Sequence, residues 1–89
     1  MNTWEYGRLT NNHVNHCMFA TSGEVIEAGD MLALAKELKV KWKEGDSKVV
    51  LEAKILDHLG AKGWELVNYA VRTTAKGSSV DVFVFKRRP

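Results

Sequence analysis

Five basic side chains, Arg8, Arg72, Lys86, Arg87 and Arg88, fall at or beside the ends of segments with a strand-like alternation, and two aromatics, Trp4 and Tyr6, share the parity of Arg8. Guanidinium forks match phosphate oxygens bidentately, and an aromatic ring beside them offers a base a surface to stack on. Asn68 and Ala70 share the parity of Arg72, which gives that segment one face more polar than the other. The chemistry these residues suit is the binding of an anionic, nucleotide-like small ligand by Trp4, Tyr6, Arg8, Asn68, Arg72, Lys86, Arg87 and Arg88. A structural account of the same cations is a solvated basic tail that keeps an edge strand from pairing with other chains.

Other groupings are weaker. His13, His16 and Cys17 are the one sequence cluster of metal-ligand type, but on a strand His13 and His16 face opposite ways and no second pair completes a four-ligand zinc set. No metal and no cofactor is expected. Cys17 as a nucleophile needs a base on its own face, and neighbouring His16 points away, so a small buried hydrophobe is the expectation. Glu52 lies at helical spacing among Val49, Leu56 and Leu59, where a carboxylate serves either as a general base or as a residue near a helix start. Trp64, opening a strand behind a helix stop, is expected to plug the core rather than stack on a ligand. No acid–base pair, triad or cofactor loop assembles, so no catalytic residues are assigned and the chain is read as a non-enzyme.

The elements that hold these residues follow from periodicity. Residues 3–10 alternate as a first strand, Asn11-Asn12 is a turn signal, and His13 to Thr21 alternates again, with a short third strand over Glu24 to Ala28. From an N-cap at Asp30, Met31, Leu34, Ala35, Leu38 and Trp42 follow a helical stripe. Leu38, Val40 and Trp42 alternating with Lys39, Lys41 and Lys43 also fit a strand with a lysine face; the Ala, Leu, Lys and Glu content favours helix. Asp46 or Ser47 then caps a second helix, with Val49, Ala53, Leu56 and Gly60 in one row and Leu51, Ile55 and Leu59 beside it, and Gly60 suits the left-handed residue at its end. Trp64 to Thr73 and Ser79 to Arg87 form a second hairpin whose last strand is apolar on both faces.

The expected fold is α+β: a small antiparallel sheet of two hairpins with two helices packed on one face, in one domain over residues 1–89. A hydrophobic fraction of 45% and a charged fraction of 27% suit a globular chain, and 89 residues bury too little surface to make self-association a surprise. Thirteen Lys and Arg against eleven Asp and Glu give a net charge of +2, too small to predict duplex nucleic-acid binding. The RNA-binding pattern of aromatics and glycine on a central strand is absent. No apolar run reaches the length of a membrane span, and the start of the sequence lacks a signal-peptide pattern, so a cytoplasmic location is expected.

Trp4-Glu5-Tyr6, the junction Leu59-Gly60-Ala61-Lys62-Gly63-Trp64-Glu65-Leu66-Val67 and the closing Phe85-Lys86-Arg87 together resemble a widespread family of small bacterial and phage domains of unknown function. Members have a WEY-type opening strand, a helix ending LGxxGWELV and an FKR-type closing strand. The resemblance implies a fold and no catalytic residues. The stretch from about Asn12 to Lys43 is longer than that family pattern, and added elements there are a place for function the resemblance does not cover. Phage-encoded sponges, which sequester nucleotide signals of bacterial immunity as homo-oligomers without chemistry, are of similar size. Two function classes stay open: a self-associating binder of an anionic nucleotide-like ligand, and a protein-interaction or structural module.

Overall fold

A computed structural model describes residues 3–12 and 16–88. Five strands and two helices follow in the order β1 (Glu5–Asn12), β2 (His16–Thr21), β3 (Val25–Ala28), α1 (Met31–Glu37), α2 (Lys48–Ala61), β4 (Glu65–Thr73) and β5 (Ser79–Arg87). The sheet is antiparallel throughout, in the order β3-β2-β1-β5-β4. The N-terminal and C-terminal hairpins are therefore joined at the centre, where β1 pairs β5 from Glu5 opposite Arg87 to Asn12 opposite Val80.

Alternation sorts the side chains into two faces. Leu9, Cys17, Phe19, Phe83 and Phe85 point toward the helices and form the core with Met31, Leu34 and Ala35 of α1 and Leu51, Ile55 and Leu59 of α2. Of the two apolar rows on α2, only the Leu51 row is buried; Val49 is 77% exposed. Phe19 meets Trp64 and Phe85 edge-on, with centroids 5.6 and 6.4 Å apart, an arrangement that favours the ring quadrupoles. Trp64 is buried at the junction of α2 and the sheet, the core plug its position predicts.

Both helices start on the expected signals. Asp30 accepts from the Ala33 N–H at 2.8 Å and Ser47 from the Val50 N–H at 3.3 Å, each satisfying a donor that the first turn leaves free. Their ends are built alike. After α2, Gly63 donates its N–H to the Gly60 carbonyl and Trp64 to that of Leu59, both at 3.0 Å, with Gly63 at φ +90°. After α1, Lys39 donates to Lys36 at 3.1 Å and Val40 to Ala35 at 2.9 Å, with Lys39 at φ +61°. These paired bonds are the Schellman end, in which a left-handed residue returns the chain onto the last turn.

Three expectations are corrected. The helical stripe stops at Glu37, and residues 38–47 are neither its extension nor a lysine-faced strand, because the Schellman bonds end α1 before Trp42. Gly60 lies inside α2, and the left-handed residue is Gly63. Asn11 and Asn12 belong to β1, with Asn11 buried, and do not form the turn. The described part of β2 is His16–Thr21, and the expected strand residues His13 and Val14 lie outside the described residues. Among the described residues no helix is long and apolar enough to cross a membrane.

Candidate functional site

Among the described residues no helix covers the second face of the sheet. Pairing registers set its side chains in rows: Glu65, Lys86 and Tyr6; then Asn68, Val84, Arg8 and Ala20; then Ala70, Val82, Thr10 and Met18; then Arg72, Val80, Asn12 and His16. The middle is apolar enough that Val82 is only 7% exposed although it lies outside the main core. Cations and aromatics gather toward the end where the chain enters β1 and leaves β5.

There Trp4 continues the parity of Tyr6 and Arg8. The Lys86 ammonium sits 4.3 Å from its ring centroid and the Arg88 guanidinium carbon 5.2 Å, so two cations flank one indole. Tyr6, 57% exposed, stands directly opposite Lys86, and exposed Arg8 makes no ion pair among the described residues. Asn68 joins this end through the row it shares with Arg8. The arrangement offers an anion three cationic side chains and two aromatic surfaces on one open, shallow face.

Two residues of the predicted set stand apart. Arg72 is on the open face but four residues along β4 from Asn68, about 13 Å away. Arg87 has the parity of Phe85 and lies on the helix side. Its Nε donates to Glu5 at 2.7 Å, its guanidinium stacks 4.2 Å from the Trp64 ring, and its Nη1 reaches the Lys62 carbonyl at 3.2 Å. These contacts clamp the strand end to the α2 junction, so Arg87 is structural. Period-two parity with Phe85 carries that signal in the sequence.

The weaker candidates also find places. His16 lies 3.7 Å from Glu27 on the open face, while Cys17 is buried on the other; His13 lies outside the described residues. Burial, with the nearby Asp30 and Glu52 carboxylates, pushes the Cys17 thiol up to about 11, the opposite of what a nucleophile needs. The thiol donates to the Asn11 Oδ1 at 3.3 Å, and Asn11 Nδ2 donates to Glu52 Oε2 at 3.0 Å. Glu52 is thus tied to the sheet by a hydrogen bond.

A second concavity lies on the helix side, where residues 39–43 lean over α2 around a cleft of about 890 Å³ lined by Lys39, Lys41, Trp42, Lys43, Lys54 and His58 among others. The lysine alternation was visible in the sequence as a pattern, but its closure against α2 was not.

Together these features define a small α+β domain with one helix-covered face and one open sheet face bearing cations and aromatics. In comparisons with protein-family models, curated proteins and solved structures, nothing matches the chain.

Proposed function

We propose that the protein is a non-enzymatic binding domain that self-associates and holds an anionic, nucleotide-like small ligand on its open sheet face. The observation that carries this reading is Trp4 flanked by Lys86 and Arg88, with Tyr6 and Arg8 on the same face. Ring surfaces stack a base without sequence preference and the adjacent cations meet its phosphate. The resemblance of the WEY opening, the LGxxGWELV junction and the FKR end to small bacterial and phage domains suits a sponge that sequesters a cyclic-nucleotide signal. A single buried Cys17 agrees with a cytoplasmic setting. Isothermal titration against mononucleotides, dinucleotides and cyclic nucleotides tests the reading. A saturable heat that Arg8→Glu/Lys86→Glu abolishes supports it; silence across the panel with folded protein ends it.

Exposed apolar side chains along β4, Leu66, Val67 and Val71, each at least half exposed, favour a second reading, a protein-interaction module docking through that strand. Charge reversal at Arg8 and Lys86 separates the two. Ligand uptake is lost under the first reading, and protein capture persists under the second.

A further inference from the structure

On the side of the sheet away from the open face, we infer that the cleft between residues 39–43 and α2 is a separate binding site for a phosphate-rich anion carrying a planar ring, a nucleoside polyphosphate in chemical class. Three observations converge on it.

The first is an excess of positive charge. Asp46 accepts from the Lys54 ammonium at 2.6 Å and from the Lys43 backbone N–H at 2.9 Å, so its carboxylate is committed to fastening the loop onto α2. Lys39, Lys41 and Lys43 form no ion pair among the described residues; Asp46 also attracts Lys43, and Asp57 stands on the rim, so the four lysines around the cleft outnumber these two carboxylates. Like charges gathered around one concavity raise the local potential and draw in a multivalent anion. A volume of about 890 Å³ is of the size that small-ligand sites have.

The second is Trp42. Its indole is 40% exposed and borders both this cleft and a smaller cavity of about 310 Å³ over Leu32 and Leu51. A ring of that size with open volume on two sides is not packed as core, and with the Lys36 ammonium 5.1 Å from its centroid it already takes part in a cation–aromatic contact. It is placed to stack a base while the lysines hold the phosphates.

The third is backbone strain at the cleft edge. Lys39 takes the left-handed conformation where glycine is the unstrained choice, and a side chain there costs about 1 kcal/mol. The lysine puts a cation on the rim at a residue where the fold would be more stable without a side chain. An outlier of this kind is a pointer to function when it stands beside independent evidence, which the charge and the indole supply.

The test is calorimetric titration of the full chain with ATP and, separately, with inorganic tripolyphosphate, both in metal-free low-salt buffer. The expected result is saturable binding of both, weakened at least tenfold by Lys41→Glu/Lys43→Glu. Trp42→Ala is expected to weaken ATP at least threefold and leave tripolyphosphate unchanged, which separates ring recognition from phosphate recognition. The open-face variant Arg8→Glu/Lys86→Glu is expected to retain this event, so failure here and failure of the proposed open-face function read out separately. Lys41 and Lys43 are exposed, and thermal melts that match the parent establish that the variants fold. No binding of either probe, equal binding by Lys41→Glu/Lys43→Glu, or loss only in the Arg8/Lys86 variant overturns the inference.

Discussion

Lys39 occupies at the end of α1 the position that Gly63 occupies at the end of α2: each is left-handed, at φ +61° and +90°, and each is followed by a buried apolar residue, Val40 or Trp64. Only one of the two is a glycine. Lys39→Gly is therefore expected to stabilise the fold by about 1 kcal/mol, the strain a side chain brings to this conformation. Gly63→Ala is expected to destabilise it by a similar amount, although a Cβ there meets nothing within 4 Å, because the penalty is purely torsional. Urea unfolding measured side by side checks both signs.

Asn11 is the polar residue of the core, 2% exposed, with the Cys17 thiol and the Glu52 carboxylate as its partners. Asn11→Leu strands both groups, and leaving a partly buried carboxylate without its donor is expected to cost about 2–3 kcal/mol. Glu52→Gln preserves an acceptor and is expected to cost less than half of that. Equal losses in the two variants by chemical denaturation would count against the network.

The raised thiol of Cys17 sets a pH dependence. An acid whose folded value lies above its unfolded value of 9.0 favours the neutral form in the folded state, so its contribution is complete below about pH 9 and is lost as pH rises toward about 11. A difference of this size corresponds to roughly 2–3 kcal/mol. Cys17→Ala should flatten the fall in stability between pH 9 and 11, with melting temperatures across that window as the readout. The same thiol is expected to react with an alkylating reagent at pH 8 only on the timescale of unfolding.

Gly7 faces the core of β1 directly beneath two rings. A Cβ at that position comes within 2.9 Å of Phe19 Cζ and 3.2 Å of the Trp64 ring. Overpacking of this kind costs about 1–3 kcal/mol, so Gly7→Ala is expected to lower the urea midpoint and to disturb the near-ultraviolet signal of the Phe19–Trp64 edge contact. An unchanged midpoint would falsify this packing account.

The junction from Leu59 to Val67 was legible in part: Leu59 closes the buried row of α2 and Trp64 seals the core as their positions predict, whereas the left-handed residue expected at Gly60 is Gly63, because α2 runs on through Ala61. The end of α1 was not, since a lysine stands at the turn and Leu38 and Trp42 continue the helical period past it. Asn11 looked like a turn residue because its side chain suits turns; the partner that draws it into the core, Glu52, lies 41 positions away. For the candidate site, parity along β1 and β5 gathers Trp4, Tyr6, Arg8 and Lys86, and the same parity places Arg87 on the opposite face. The cleft under residues 39–43 depends on a Lys54–Asp46 contact that no periodicity announces.

The pairing of β1 with β5 also sets the order in which the molecule can assemble. Glu5 meets Arg87 and Leu9 meets Phe83, so the middle of the sheet joins the most distant parts of the described chain. On a ribosome, β1, β2, β3 and both helices emerge while the inner edge of β1 has no neighbour, and Leu9 and Phe19 wait for Phe83 and Phe85 to complete their surroundings. Folding is thereby tied to the arrival of β5, with loop closure as the slow step and an unpaired apolar edge exposed until it occurs.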